Sequence, residues 1–280
     1  MPVVTVLLML CVAAGGAAQE GWPQWGGPNR DFHVEDPGLA SEWPAGGPPV
    51  LWQRPLGLGH SAIVVVGDRA YTMFRPVAPE LPDGEFAAEE VVVALDASDG
   101  STVWEYRYPS MPQNFGFGAG PHSTPLWVDG RLFAVSSDKK LFALDATSGE
   151  LLWSHDLIGE YDAPANLIEP TVKAGYAPSP LAWQGTVILP VGGEGQAVMA
   201  FDQASGETVW KGGSFRLAHA SPRIIDVSSE IITKEGVEIE TEHHLVVTGG
   251  QTVNGLAPDS GQLLWSHEHP TDGDMNNSTP

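Results

Sequence analysis

Residues 60–268 carry short hydrophobic runs that are separated by turn-forming residues. Within many of these runs, large apolar side chains alternate with small or polar ones, which is the period of a β-strand with one buried face. The chain has 33 Gly and 24 Pro in 280 residues, and these residues fall mostly between the runs. The pattern predicts many short strands joined by turns, and therefore an all-β protein.

A hairpin pattern occurs four times along the chain, with a turn-forming Gly four residues before a Trp. In the first three copies an Asp lies four residues before the Gly, while the fourth copy has Ala257 there. Asp can accept hydrogen bonds from the backbone that follows it, and Gly supplies a positive φ, so this stretch is a turn. The repeated residues are Asp96, Asp145, Asp202, Gly100, Gly149, Gly206, Gly261, Trp104, Trp153, Trp210 and Trp265.

Two further strands precede each hairpin and begin at a Ser-, Thr- or Pro-rich segment, so each unit has four strands. Successive repeated Trp residues lie 49, 57 and 55 residues apart, slightly above the usual length of a propeller blade. The sequence thus predicts a β-propeller of four-stranded antiparallel blades, in which about four blades are present. The predicted blades span about residues 60–107, 122–156, 177–213 and 219–268, and a further blade starts at 277–280.

The two ends of the repeat indicate an incomplete ring. Residues 49–52 end in Trp52 and match the last strand of a unit that has no other strands in front of it. Because closing a ring takes more strands than these, we expect a fragment of a longer propeller. The domain prediction is an N-terminal extension over 19–48 and the propeller over 49–280.

Residues 1–18 have the pattern of a secretory signal peptide. An apolar run over 3–14 is followed by small residues, with Gly16 and Ala18 at positions −3 and −1 of a cleavage site. The alternative is a membrane anchor, although the run is shorter than the roughly 20 residues that span a bilayer. We expect a periplasmic or secreted protein that has no transmembrane segment after cleavage.

Charge and cysteine content exclude several classes of function. The formal net charge is −22, which repels phosphate backbones and argues against nucleic acid as a partner. The single cysteine, Cys11, lies in the predicted leader. The mature chain therefore has no disulfide, no thiolate metal site and no cysteine nucleophile.

The ALDAxxGxxxW hairpin resembles the repeat of the PQQ-like β-propellers, and the likeness covers roughly residues 22–280. Residues 22–30, WPQWGGPNR, are similar to the opening of secreted PQQ-like repeat proteins of planctomycete-type bacteria. The family includes quinoprotein alcohol dehydrogenases and the propeller lipoprotein that helps to assemble outer-membrane proteins. The resemblance implies that the repeated Trp residues pack between blades, and it implies little about chemistry.

Candidate ligand-binding residues lie where the first strand of each unit begins. His60, His122 and His219 are equivalent in the repeat, while the other two units carry Ala177 and Asn277. In a propeller these positions form an arc at the channel mouth, where imidazoles suit Zn, Cu, Fe or proton transfer. The alternative is that each His caps a strand. Aromatic residues of the preceding loops, including Tyr176, are further candidates for contact with a ligand.

We therefore predict an extracytoplasmic scaffold that binds an envelope protein, a peptide or a small molecule in the channel. No cofactor or metal is expected, because the sequence lacks GxSxG, HExxH, Walker and haem motifs and the paired cysteines of many quinoprotein dehydrogenases. The alternative is a PQQ- and Ca²⁺-dependent, or other metal-dependent, oxidoreductase. A third reading is an arc that packs against the rest of its own polypeptide.

Overall fold

The computed structural model describes residues 21–33, 40, 42–82, 85–111, 118–167, 175–232, 236–274, 276 and 279. Within these residues the strands form four separate antiparallel sheets, and in each sheet consecutive strands are neighbours. This arrangement confirms the predicted all-β fold with four-stranded antiparallel blades. The predicted leader and most of the start of a further blade lie outside the described residues.

Each blade is a meander of four strands, of which the first is innermost. Blade 1 contains β2 (Val64–Val66), β3 (Arg69–Phe74), β4 (Glu89–Asp96) and β5 (Thr102–Pro109), and β1 (Gly21–Trp22) adds to its inner edge. Blade 2 contains β6 (Leu126–Val128), β7 (Arg131–Val135), β8 (Lys140–Asp145) and β9 (Leu151–Asp156). Blade 3 contains β10 (Leu181–Trp183), β11 (Thr186–Pro190), β12 (Val198–Asp202) and β13 (Thr208–Gly212). Blade 4 contains β14 (Arg223–Ile232), β15 (Val237–Thr248), β16 (Thr252–Leu256) and β17 (Leu263–Glu268).

Within the described residues, helical structure is confined to two short elements, α1 (Leu157–Tyr161) and the 3₁₀ turn Asp272–Asp274. The helix begins at Asp156, whose carboxylate accepts from the backbone N–H groups of Ile158 and Gly159. In the part of the chain that the structure describes, neither element is long and apolar enough to cross a membrane.

Burial follows the position of a strand in its blade. In blades 1, 2 and 3 the second and third strands are buried almost throughout, as in β7 and β8, which lie between the sheets of blades 1 and 3. The outermost strands, such as β9, alternate between exposed and half-buried residues. One cluster of buried side chains runs through blades 2, 3 and 4, and a second joins blades 1 and 2. The core therefore lies between the blades.

The repeated Trp residues link each blade to the next one. Trp104 donates from its indole N–H to the carbonyl of Ala146 at 3.0 Å, and its ring lies against Gly149 of blade 2. A Cβ at Gly149 would lie 2.6 Å from that ring, which is too close for any side chain. Its φ of +75° is also a conformation that Gly adopts more readily than other residues. The same pair of contacts recurs at Trp52 with Ala97 and Gly100, at Trp153 with Gln203 and Gly206, and at Trp210 with Pro258 and Gly261.

The repeated Asp residues hold the turn between the third and fourth strands. Asp145 accepts from the backbone N–H groups of Thr147 and Ser148 and from the Ser148 hydroxyl at 2.8–3.0 Å. These hydrogen bonds lower the pKa of the Asp145 carboxyl, because they stabilise its ionised form. Asp96 and Asp202 accept equivalent bonds, and their pKa values are lowered by the same cause.

Two Trp residues lie in settings that differ from the other repeats. Trp265 was predicted to pack between blades; the described chain contains no hairpin after blade 4, and there Trp265 lies against Gly255 of its own blade and donates to His244 Nδ1 at 2.9 Å. Trp52 packs as the repeat predicts, yet the strand expected over 49–52 is not formed. In the blades, the strand that carries the Trp pairs with the third strand of the same blade. The described chain has no such third strand before Trp52, so residues 49–52 have no strand to pair with.

Candidate functional site

The first strands of the four blades begin on one face of the sheet assembly, here called the entry face. A chain of hydrogen bonds fixes the segments that lead into these strands, because in each step a backbone N–H donates to a hydroxyl of the next blade. The donors and acceptors are Ala62 to Thr124 at 3.1 Å, Thr124 to Ser179 at 3.0 Å, and Ser179 to Ser221 at 2.9 Å. Each of these residues lies two positions after His60, His122, Ala177 or His219, so these four positions occupy the same place in their blades.

His60 and His122 stack on the entry face between blades 1 and 2. Their ring centroids are 4.9 Å apart and their planes differ by 9°. The backbone N–H of His60 donates to the carbonyl of Pro121 at 2.8 Å. Gly118 adjoins the pair, and a Cβ there would lie 2.6 Å from His60 Nε2. His60 is exposed while His122 is half-buried, so the pair forms part of the accessible surface.

His219 lies deeper than the stacked pair. Both of its ring nitrogens are buried, and neither has a hydrogen-bond partner among the described residues. Burial, together with the nearby His122 and Lys139, lowers the pKa of His219 to about 4. The imidazole is therefore neutral at neutral pH, with one N–H donor and one acceptor available.

Lys139 is a buried cation that sequence reasoning did not identify. It is fully buried in the turn between β7 and β8, with φ at +64°. Its ammonium donates to the carbonyls of Pro164 and Val191, the latter at 3.0 Å. Burial lowers the pKa of Lys139 to about 7. A Lys in a turn ordinarily indicates a solvated side chain, so the sequence carried no signal for this contact.

A cleft of about 340 Å³ opens on the entry face beside this lysine. Three loops form it: 164–167 from blade 2 to blade 3, 192–194 within blade 3, and 214–217 from blade 3 to blade 4. Pro164 lines the cleft, and Val191 directly precedes its second loop, so Lys139 ties two of the three walls together. The lining residues are Pro164, Asn166, Leu167, Gly192, Gly193, Glu194, Ser214, Phe215, Arg216 and Leu217.

One of the predicted ligand-binding residues does not join this surface. Tyr176 was expected among the ligand contacts, but it is fully buried, and its hydroxyl donates to the carbonyl of Pro190 at 3.0 Å. Burial raises the pKa of Tyr176 well above its ordinary value. Its side chain therefore belongs to the core. Asn277 lies outside the described residues.

The described residues do not bring the three histidines together as a metal-ligating group. In this part of the chain, no cluster of three or more His, Cys, Asp and Glu side chains is placed to hold a metal ion. Instead, the rings of His60 and His122 pack face to face against each other. What the arrangement offers chemically is a surface with two stacked imidazoles, the neutral imidazole of His219 and a cleft beside the buried Lys139, which are features of binding.

The segment that begins with WPQW lies along the inner strands. β1 pairs with β2, and the carbonyl of Pro23 accepts from the backbone N–H of Trp127 in β6 at 2.8 Å. Further along, Arg30 donates to the carbonyl of Pro180, next to β10, at 2.9 Å. Burial and the charge of Arg223 lower the pKa of Arg30 to about 9. The sequence placed these residues in an extension, and only the structure shows their contacts with blades 1, 2 and 3.

A protein-family model described as "Outer membrane protein assembly factor BamB" matches residues 48–212 and 88–279. The chain is also 30% identical over 159 residues to the dehydrogenase subunit of alcohol dehydrogenase (quinone) from Acetobacter aceti, a match that covers 47% of this chain and 20% of that protein. The corresponding subunit from Gluconobacter oxydans (strain 621H) is 35% identical over 95 residues, which are 32% of this chain and 11% of that protein. The matched segments thus span a fifth or less of the length of these relatives.

Among solved structures, the quinohemoprotein alcohol dehydrogenase from Comamonas testosteroni is similar, with a TM-score of 0.55. The likeness covers 93% of this chain and 43% of that chain, at 16% sequence identity. At this identity it supports the fold alone.

Proposed function

Because the chain belongs to the PQQ-like propeller family whose model is described as the outer membrane protein assembly factor BamB, we propose that it is an extracytoplasmic binding scaffold. Its ligand is a protein or peptide of the cell envelope, held on the entry face. The family match supports the scaffold part of this proposal, and the cleft supports the location of binding.

The observation that carries the proposal is the composition of the cleft. Leu167, Phe215 and Leu217 give it an apolar side, while Asn166 and Glu194 add polar groups around them. Ligand sites in proteins commonly combine apolar walls with a small number of polar groups that fix orientation. A cleft of about 340 Å³ accommodates one or two side chains of a peptide, and the surrounding loops offer further surface.

Export is part of this proposal and rests on the leader pattern over residues 1–18. If the leader is removed after Ala18, N-terminal sequencing of the protein from an envelope fraction will begin at Gln19. Recovery of the intact N-terminus in the cytoplasm would contradict export.

The alternative proposal is a quinone-dependent oxidoreductase, which the quinone dehydrogenase relatives favour. The described residues do not fit PQQ and Ca²⁺ well, because they contain no cluster of three or more metal-ligating side chains. In addition, residues 21–23 and Arg30 lie against inner strands and first-strand segments that would line the channel. We therefore derive no catalytic step through this cofactor.

Two measurements on the full chain separate the proposals. A photoreactive amino acid at position 166 or 194 should cross-link an envelope protein in living cells, while the same group at Glu150, on the opposite face, should not. Addition of PQQ with Ca²⁺ to the purified chain should leave its absorbance spectrum unchanged and give no reduction of an artificial electron acceptor. A bound quinone together with reduction of the electron acceptor would favour the oxidoreductase proposal over the scaffold proposal. Equal cross-linking at all three positions would refute binding at the cleft.

A further inference from the structure

Blade 4 carries an extension that the other blades lack. In blades 1, 2 and 3 the first strand has three residues and is joined to the second by a two-residue turn. In blade 4 the same pair of strands, β14 and β15, has 10 and 12 residues. The added part comprises residues 226–232 and 237–243, and we call it the hairpin arm. Its seven residue pairs correspond to a length of about 23 Å, at about 3.3 Å per residue.

The hairpin arm projects from the face opposite the entry face, where the Asp-containing turns also lie. All fourteen residues of the arm are exposed. Ile232 is 84% exposed, Ile239 72% and Val237 61%, so side chains that usually lie inside proteins stand in water here. At the base of the arm, Trp183 of β10 packs edge-on against His243 with ring centroids 4.9 Å apart, while Ile232, Val237 and Ile239 remain exposed.

The arm also has open edges. From residue 245 onward β15 pairs with β16 on its outer side, but residues 237–243 pair only with β14. Their outward N–H and C=O groups therefore lack a neighbouring strand in the described chain. An isolated two-stranded ribbon is at best marginally stable in water, and an exposed edge of this kind is a template for a further strand.

Charge on this edge strand specifies the partner. Glu238, Glu240 and Glu242 project to one face of β15 at every second position. Glu242 lies 3.3 Å from His244, whereas Glu238 and Glu240 have no cationic partner among the described residues. The other face of the same strand presents Val237 and Ile239. An added strand would place its side chains directly opposite these residues, where opposite charges and β-branched pairs are favourable.

We propose that the hairpin arm binds an extended segment of a partner protein, in which Lys or Arg alternates with β-branched residues, as a strand beside residues 237–243. The basic side chains pair with Glu238, Glu240 and Glu242, and the apolar ones cover Val237 and Ile239. Backbone hydrogen bonds supply the affinity, and the alternation supplies the register. This inference deepens the proposed scaffold function and rests on it, but it concerns a different face from the cleft.

The test uses the purified full chain and a fluorescent, end-capped peptide of eight alternating Lys and Val residues. Fluorescence anisotropy should show saturable binding that weakens with added salt. The double variant Glu238→Lys/Glu240→Lys should weaken binding at least tenfold, because it replaces two attractive cross-strand pairs with repulsive ones. The control Glu150→Lys/Glu207→Lys changes the same number of exposed carboxylates in turns on the same face and should change affinity less than threefold.

A second peptide, in which alternate backbone amides are N-methylated, separates strand addition from simple charge attraction. It keeps every charge but cannot complete the backbone ladder, so its binding should fall at least tenfold. Equal binding of both peptides, equal losses in the two double variants, or no binding of the first peptide would each overturn the proposal. Self-association of the chain that disappears in Glu238→Lys/Glu240→Lys would also overturn it, because a second copy would then occupy the edge. Cross-linking at the cleft is unaffected by these outcomes, so the two proposals fail separately.

Discussion

Replacing Glu90 with Gln is expected to be the most destabilising conservative change among the carboxylates of blade 1. Glu90 in β4 and Arg75 form an ion pair of 2.7 Å, and both side chains are completely buried. The second carboxylate oxygen of Glu90 accepts from the Tyr108 hydroxyl at 3.0 Å and from the backbone N–H of Ser137 at 3.1 Å. Since Ser137 belongs to blade 2, the carboxylate joins two blades.

The magnitude follows from what the substitution leaves behind. Gln keeps the shape of Glu90, but it removes the only buried negative charge facing Arg75 in the described chain. Arg75 retains hydrogen bonds to the carbonyls of Ala119 and Ser110, which are neutral and do not compensate its charge. Breaking a buried ion pair by removing one partner costs about 3–5 kcal/mol, which is roughly two to four powers of ten in the unfolding equilibrium.

The neighbouring residue provides a matched control. Glu89 also pairs with an arginine, Arg107, at 2.9 Å, but that pair is largely exposed, with 41% and 49% of the two side chains accessible. Exposed ion pairs contribute about 0–1 kcal/mol, because water screens them. Glu89→Gln should therefore leave stability nearly unchanged.

The assay is urea unfolding of the full chain, followed by tryptophan fluorescence, for the wild type and both variants. A third variant, Arg75→Met/Glu90→Leu, removes both charges and should be less destabilised than the sum of the single changes Arg75→Met and Glu90→Leu. If Glu90→Gln costs no more than Glu89→Gln, the buried pair does not stabilise the junction of blades 1 and 2 and the reasoning is refuted.

Three further predictions concern the repeat and the entry face. Trp210→Ala should cost about 3–5 kcal/mol in urea unfolding, because it opens the junction with blade 4, whereas Trp265→Ala should cost clearly less; equal losses would contradict the inter-blade role. The pKa of His219 is lowered to about 4, so the unfolded chain binds a proton that the folded chain does not as the pH falls from about 6.5 to 4. Wild-type stability should fall over this range more than that of His219→Gln, and parallel profiles would contradict a buried neutral imidazole. Hydrogen bonds from Ser205 lower the pKa of Asp202, so its ionised carboxylate stabilises the fold above the ordinary carboxyl pKa, and this stability is lost as the pH falls. The stability of Asp202→Asn should therefore decrease less on acidification than that of the wild type. An equal decrease would refute the role of this carboxylate in the turn.

The local repeat could be predicted from the sequence because its signals are short-range. Asp145 and Gly149 are four residues apart, and the turn that they form needs only the backbone between them. The Trp-to-Gly contact between blades was inferred from the family resemblance, and three of the four hairpin Trp residues make it. The equivalence of His60, His122 and His219 also followed from their spacing within the repeat.

The buried polar groups could not be predicted, because their partners are far apart in sequence. Arg75 meets Ser110 across 35 residues, and Arg30 meets Pro180 across 150 residues. Lys139 lies in a turn where composition favours a solvated side chain, and its burial depends on loops from blade 3. The open edge of the hairpin arm could not be predicted either, because it depends on where β16 stops pairing with β15.

The direction of the Trp contacts has a consequence for the order in which the chain folds. Trp52, Trp104, Trp153 and Trp210 each cover a turn that lies about 40 to 50 residues further along the chain. The Trp that covers the Asp-containing turn of a described blade, or the equivalent turn of blade 4, is therefore synthesised before that blade. A chain that emerges with its N-terminus first therefore presents a finished docking surface to each new hairpin. Trp52 does this for blade 1, and each blade then supplies the surface for the next one. We therefore expect the blades to fold in order from the N-terminus, because the turn of each blade is covered by a Trp that precedes it in the chain.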